Sequence, residues 1–144
     1  MASATITFDL SQLTALNGAL ADAHARSLDL EPLMDKIGNA AELTIEERFA
    51  SQSGPDGAKW TSSQRVLKFG GQTLTLGGFL RDSITHNAGP DSVEVGSNLI
   101  YARAQQFGFE ENNLPARPYL GVGGDDEETW TELAAEHLLG GLAA

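Results

Sequence analysis

The first 28 residues predict a short strand followed by a helix. Ile6 and Phe8 alternate with threonines, which is the two-residue period of a strand. Asp9 can then cap a helix, because its carboxylate can accept hydrogen bonds from the free N–H groups at a helix start. The helix is predicted from leucines that recur at roughly helical spacing and fade near Arg26, namely Leu10, Leu13, Leu16 and Leu20.

An apolar stripe predicts a second, longer helix. Asp29 is placed to cap it, Glu31 suits its positive end, and Pro32 is tolerated in the first turn. Gly38 in mid-helix costs about 1 kcal/mol relative to alanine, so packing must offset it. The stripe, which would bury the helix on a sheet, consists of Leu30, Leu33, Met34, Ile37, Ala41, Ile45 and Phe49.

The helical pattern breaks between residues 51 and 78, where the chain is polar and rich in glycine and serine. Within it, Gly54-Pro55-Asp56-Gly57 is typical of a type I turn, because proline presets φ at the second position. A polar stretch of this length inside a small domain is unusual, and such loops tend to be functional or disordered. We expect residues 51–78 to form a mobile loop that becomes ordered against a partner.

A β-hairpin is predicted after this segment. Leu80 and Ile84 lead into a strand that ends near His86. A turn at residues 87–91 follows, and the two valines within residues 93–95 alternate as on a partner strand. The two strands would form an antiparallel pair.

The last third of the chain predicts two more helices around an extended segment. Asn98 can cap a short helix that Gly108 stops, and two prolines keep residues 115–118 extended. Asp125 or Asp126 can cap a final helix that ends at two glycines. The apolar face of this helix is Trp130, Leu133, Ala134, His137 and Leu138.

These elements predict an α+β fold, with long helices packed on a small, mainly antiparallel β-sheet and a long extended loop. At 144 residues the chain has the size of one ordinary domain, so we expect residues 1–144 to form a single domain. Within it, residues 1–28 hold the N-terminal strand and helix, residues 51–78 the mobile loop, and residues 125–144 the C-terminal helix.

Charge and composition narrow the class of protein. The net charge is −11, yet residues 51–108 hold five basic and four acidic side chains, so the excess of acid lies in the flanks. Such acidity argues against tight binding to DNA phosphates, and a merely soluble acidic surface is its simplest explanation. The sequence contains no cysteine, no signal-peptide pattern and no run of 18 apolar residues, so we expect cytoplasmic synthesis and no membrane partner.

The sequence shows no pattern typical of catalysis, a metal or a cofactor. His24, His86 and His137 lie in three different predicted elements, and none pairs with another at metal-ligand spacing. There is no Gly-x-Ser-x-Gly elbow and no phosphate-binding glycine loop. The acidic run at residues 125–128 lacks the alternating ligands of a calcium loop and is better explained as a helix start. We therefore expect no enzyme and no cofactor.

One basic and aromatic stretch could contact nucleic acid. Lys59 stands next to Trp60, and Arg65 and Lys68 follow within ten residues. The other interpretation is that Trp60 covers the edge of the core. The sequence leaves both interpretations open.

Six short motifs follow one another in the chain. They are Glu47-Arg48-Phe49, Asp56-Gly57 with Trp60, the segment from Gly78 to Ile84, Val95-Gly96-Ser97, Tyr101-Ala102 with Gln106-Phe107-Gly108, and the segment from Pro115 to Gly121. In this order they resemble the phage virion morphogenesis family, typified by the tail-completion or G-type assembly proteins of Mu-like and P2-like phages. The resemblance covers about residues 30–140. One departure is Gln105, where members often carry histidine, so any role of that imidazole is absent.

The resemblance implies a structural, non-enzymatic protein that acts in tail completion or head-tail joining, as a ring subunit at the neck or tail terminus of the virion. Its expected partners are further copies of the chain and other phage neck, connector or tail proteins. DNA would pass through the lumen without specific binding, and acidic walls would repel it. We expect the protein in the virion, and in the host cytoplasm during assembly. The alternative is a transient capsid-assembly factor that is absent from mature virions.

An oligomer or partner interface is the functional site that this interpretation requires. Aromatic and arginine side chains dominate contacts between proteins, although the same aromatic residues are also candidates for the core. The interface candidates are Trp60, Arg65, Lys68, Tyr101, Gln106, Phe107, Arg117 and Tyr119.

Overall fold

Helices are the main elements of the part of the chain that the structure describes. A computed structural model describes residues 10–140, with side chains from Thr14 onward. Over this range it contains helices α1 (Leu10–Ser27), α2 (Glu31–Ser51), α3 (Gln64–Phe69), α4 (Phe79–Asp82), α5 (Ala102–Phe107) and α6 (Asp126–Leu139), strands β1 (Thr85–Ala88) and β2 (Val93–Gly96), and a 3-10 turn (Glu110–Asn112). The α+β prediction is confirmed. The strand predicted at Ile6 and Phe8 and the Asp9 cap lie outside the described residues.

Helix α2 is the centre of the fold because its apolar stripe packs on both strands and on α6. Leu33, Ile45 and Phe49 of the predicted stripe are buried. The predicted Asp29 cap is wrong: Leu30 occupies the cap position, and no side chain there accepts a hydrogen bond. The chain reaches Leu30 directly from the last turn of α1, where the N–H of Asp29 bonds to the Arg26 carbonyl, so no extended residue precedes the helix.

The segment from residue 51 to residue 78 carries more local structure than the sequence predicts. It contains α3, whose cap Ser63 accepts a hydrogen bond from the Val66 N–H at 3.3 Å. Trp60 and Thr73 are buried, and the Gln52 side chain bonds to both backbone groups of Thr73. The sequence did not predict α3, and the mobility of residues 51–78 before assembly stays a prediction.

The hairpin is confirmed. Strands β1 and β2 pair antiparallel, with Thr85 opposite Gly96 and Ala88 opposite Val93. The first strand begins later than predicted, since Leu80 lies in the short helix α4 and is buried there. This helix, and not a strand, delivers Leu80 to the core.

The core is formed by α2, α4 and α5, together with Trp60 before α4 and Tyr119 after α5. Three aromatic rings meet there: the ring centroids of Phe49 and Trp60 lie 5.4 Å apart and edge-on, and those of Phe49 and Tyr119 lie 5.6 Å apart. Edge-to-face pairs of this kind add stabilisation beyond their buried area. The buried cluster is Ile45, Phe49, Trp60, Leu80, Ala102 and Tyr119.

The two later helices are confirmed, but their predicted caps are not. Helix α5 starts after Tyr101 and not at Asn98. It stops at Gly108, as predicted, where φ is +78° and a side chain would collide with the backbone of the following segment. Asp125 precedes α6 without forming a cap hydrogen bond, and the Asp126 carboxylate accepts from the Gly123 N–H and from Arg48 instead.

Candidate interaction surface

Large apolar side chains are left exposed mainly in one part of the chain. Of the fourteen exposed in the described range, eight fall between residues 67 and 109. Phe69 is 83% exposed, and Ile100 is fully exposed. Exposed apolar side chains at this density are typical of contact sites, because water contact with them is unfavourable. The eight are Leu67, Phe69, Leu76, Phe79, Ile100, Tyr101, Phe107 and Phe109.

A cleft of about 290 Å³ is lined by two of these eight residues among others, and we name it the α3–α5 cleft. Leu76 and Tyr101 are exposed and line this cleft, so part of its wall is apolar. Two cations, Arg65 and Arg117, also line it. The complete lining is Ser63, Arg65, Thr73, Leu74, Leu76, Leu80, Tyr101, Gln105, Leu114 and Arg117.

Arg117 is the unusual group of the cleft. It is only 4% exposed, its Nε donates to the Thr61 carbonyl at 2.7 Å, and its backbone N–H donates to the Gln105 carbonyl at 2.8 Å. No carboxylate of residues 10–140 forms an ion pair with it. Burial therefore lowers the pKa of Arg117, with no opposite charge to counter it. A guanidinium still stays charged at neutral pH, so the cleft holds an uncompensated cation.

A second polar group of the cleft is also unsatisfied. Gln105 lines the cleft, and its Oε1 is buried without a hydrogen-bond partner in the described chain. The terminal nitrogens of Arg117 also form no hydrogen bond there, and they are not among the fully buried unpartnered atoms, so they keep access to the cleft. Buried polar groups are nearly always satisfied in native proteins, and in the described chain Gln105 Oε1 shares this rare state with Trp130 Nε1, which lines a separate cleft.

Neighbouring residues hold the segment that carries Arg117. The Gln106 amide accepts from the Tyr119 and Leu120 N–H groups at 3.0 and 2.9 Å and donates to the Leu120 carbonyl at 3.1 Å. The Trp60 indole donates to the Pro118 carbonyl at 2.8 Å. The Tyr119 hydroxyl donates to the Ala102 carbonyl at 2.8 Å, and burial raises the pKa of Tyr119. The segment is thus fixed from three sides.

The main buried ion pair lies on the other side of this segment. Arg48 Nη2 and Asp126 Oδ2 lie 2.9 Å apart, and Arg48 Nη1 donates to the Tyr119 carbonyl at 2.8 Å. The pair joins the end of α2 to the start of α6. The sequence shows no local sign of it, because 78 residues separate the two partners.

A histidine joins the hairpin to α2. His86 Nδ1 lies 2.7 Å from Glu42 Oε1, and Nε2 lies 2.7 Å from Asp35 Oδ1. Hydrogen bonds to Asp35 and then to Glu42 raise the pKa of His86 above its ordinary value. The imidazole ring lies on Gly38, where a methyl group would collide with it, so the helix glycine makes room for this bridge.

The eight predicted interface residues fall into three groups. Arg65, Tyr101 and Arg117 line the α3–α5 cleft. Lys68 and Phe107 are exposed, and the Arg103 guanidinium lies 5.3 Å from the centre of the Phe107 ring. The others, whose side chains secure the fold, are Trp60, Gln106 and Tyr119. A role of any of these residues in an interface stays a prediction.

Metal sites and membrane-spanning helices are absent from the described part of the chain. Residues 10–140 contain no group of three histidine, aspartate or glutamate side chains that could hold a metal ion. No helix within that range is long and apolar enough to cross a membrane.

Comparison with known proteins identifies the group to which the chain is related. The sequence profile of the phage virion morphogenesis family matches residues 11–139. A protein of Escherichia phage Mu, named "Putative capsid assembly protein G", is 34% identical over an alignment of 94 residues, and the match covers 55% of this chain and 60% of the Mu protein. No solved structure matches significantly. Because the family profile covers nearly the whole chain, the protein belongs to the phage virion morphogenesis family.

Proposed function

We propose that the chain is a structural subunit of a ring at the neck or tail terminus of the virion, where it acts in tail completion or head-tail joining. Membership of the phage virion morphogenesis family supports a part in building the particle. The observation that carries the step to a subunit is the set of eight exposed apolar side chains between residues 67 and 109. Neighbouring subunits would cover them, since oligomer contacts are built on apolar and aromatic groups.

The ring would consist of further copies of this chain and would touch other neck, connector or tail proteins. DNA would pass through its lumen without specific binding, because the net charge of −11 repels phosphates. Replacing lumen-facing carboxylates by amides should then slow DNA ejection. Unchanged ejection would contradict an electrostatic role of the lumen.

A second candidate function is a transient factor for capsid assembly that leaves before the virion matures. The name of the Mu relative, which refers to capsid assembly, favours this alternative. Both functions fit a non-enzymatic protein made in the host cytoplasm. They differ in whether the protein is present in the mature virion.

Quantitative mass spectrometry of purified virions separates the two functions. A ring subunit must occur at several copies per particle, in a constant ratio to the major tail and portal proteins. A chain present in infected cells and in immature heads, but lost from mature particles, would reject the ring and favour the transient factor.

A further inference from the structure

We propose that the α3–α5 cleft of one copy receives a carboxylate of helix α6 from a second copy, with Arg117 as its counter-ion. The copies would then join head to tail. This inference rests on the proposed ring and names the contact that builds it.

The first reason is the unmatched charge of Arg117. Removing a guanidinium from water is costly unless an anion or several hydrogen bonds replace the lost hydration. Arg117 has one side-chain hydrogen bond, to the Thr61 carbonyl, and no anion among the described residues. A carboxylate entering the cleft would supply the missing charge through short, charge-assisted hydrogen bonds.

The second reason is the chemistry of the cleft around Arg117. Arg65 adds a second cation, and among the described residues its side chain donates to the Gln72 carbonyl alone, at 2.6 Å. Leu76 and Tyr101 add apolar surface. An acidic side chain fits this combination, because its aliphatic stem can contact the apolar walls while its carboxylate meets the two guanidinium groups. A glutamate has the longer stem.

The third reason is the charge distribution of the chain, which indicates α6 as the source. Within the same copy α6 packs on α1 and α2, and its exposed carboxylates form no ion pair with any residue that the structure describes. The cleft instead belongs to residues 51–117, where basic side chains are as frequent as acidic ones. DNA phosphate is the poorer partner, since the chain as a whole repels it. The exposed carboxylates of α6 and its cap are Asp125, Glu127, Glu128, Glu132 and Glu136.

Because the cleft and α6 are different surfaces, the contact is heterologous. Such a contact closes into a ring or continues as a filament, depending on the rotation between copies. It also makes the contact testable by complementation, since each copy carries one donor surface and one acceptor surface.

The test uses the full chain in sedimentation velocity. The cleft variant is Arg117→Gln, and the acid variant combines Glu127→Gln, Glu128→Gln, Glu132→Gln and Glu136→Gln. We expect each variant alone to lose association by at least about tenfold in Kd, because each lacks one side of a buried charge pair. An equimolar mixture should recover a dimer but nothing longer, since one intact contact remains.

Matched controls separate this contact from general charge and from misfolding. A variant with Asp22→Asn, Glu31→Gln, Glu46→Gln and Glu47→Gln has the same net charge as the acid variant and should associate like the unmodified chain. If Arg117→Gln does not fold by circular dichroism, Leu76→Glu takes its place, because Leu76 is exposed and a carboxylate there repels an incoming one. Leu43→Glu, at an exposed position outside the cleft, is its control.

Three results would overturn the inference: an acid variant that assembles like the unmodified chain, a mixture that stays monomeric, or an unmodified chain that is monomeric at about 100 µM, where even weak contacts are populated. None of these results would show that the protein is absent from the virion. Mass spectrometry of particles therefore tests the proposed function independently.

Discussion

Arg48 and Arg117 are buried to nearly the same degree, at 6% and 4% exposure, but their surroundings differ. Arg48 lies against the Asp126 carboxylate at 2.9 Å and also donates to the Tyr119 carbonyl. Arg117 has a single side-chain bond to a carbonyl and no anion in the described chain. Arg117 begins the segment from residue 117 to residue 121, and Arg48 contacts the same segment through the Tyr119 carbonyl.

The comparison shows around which arginine the charges are balanced within one copy. Around Arg48 the charges are matched, so that region closes the fold by itself. Around Arg117 a charge and a glutamine oxygen remain unmatched beside exposed apolar groups. This unmatched charge is the observation from which we propose the contact with a second copy.

Arg48→Met should have the largest effect on stability. Removing the guanidinium leaves the Asp126 carboxylate buried without its counter-ion, which costs about 3–5 kcal/mol in the free energy of unfolding. Urea denaturation measures this loss. The double variant Arg48→Met with Asp126→Leu should recover part of it, since no unpaired charge then remains. If Arg48→Met were as stable as the unmodified chain, the Arg48–Asp126 ion pair would not stabilise the fold.

His86→Gln tests a paired cation whose charge can be switched by pH. The two carboxylates raise the pKa of His86 in the folded protein above the value of about 6.5 that applies in the unfolded chain. The stability that it contributes is therefore fully present below about pH 6.5 and is lost as pH rises through the raised pKa.

We expect His86→Gln to cost about 1.5–3 kcal/mol near pH 5.5, the range for hydrogen bonds to charged groups, and less near pH 9. Denaturation of both proteins across this pH range gives the difference directly. A cost that grows as pH rises would show that the neutral imidazole, and not the charged one, forms the bridge.

Arg117→Gln should cost less stability than Arg48→Met. The variant loses one hydrogen bond to the Thr61 carbonyl but also removes a desolvated charge, so the net loss should stay below about 1.5 kcal/mol. The same urea titration measures it. A loss as large as that of Arg48→Met would mean that Arg117 is already compensated inside one copy, and the contrast between the two arginines would disappear.

Gly38→Ala should have the smallest effect, and its sign depends on His86. Alanine is favoured over glycine in mid-helix by about 1 kcal/mol, but here its methyl group meets the imidazole ring. We expect a net loss in the single variant. In a His86→Ala background the same change should become stabilising. Stabilisation in both backgrounds would show that the ring does not pack on Gly38.

Period-based features were predictable from the sequence. The apolar stripe of α2, the alternation that forms the hairpin and the glycine that stops α5 all act within a few residues, so a local pattern suffices. Helix α3 has a serine cap and a glycine stop, but it was not predicted because the polar, glycine-rich stretch around it is typical of a loop. The caps at Asp29 and Asn98 were wrong because the approach of the preceding chain decides whether a side chain can reach the helix end.

The candidate site was predictable only in its residue types. Arg117 was predicted as an interface residue, whereas nothing in the sequence shows that it is buried without an anion. That property depends on Thr61 and Gln105, which reach it from distant parts of the chain. The Arg48–Asp126 pair was not predictable either, because its partners are also distant in the chain, although Arg48 lies in one of the six motifs.

The measurement that tests the central claim most directly is electron cryomicroscopy of purified virions, with density for this chain sought between head and tail. We expect a ring of identical subunits in which the eight exposed apolar side chains between residues 67 and 109 are covered by neighbours. Mature particles whose neck and tail terminus are fully accounted for by other proteins would contradict the structural role.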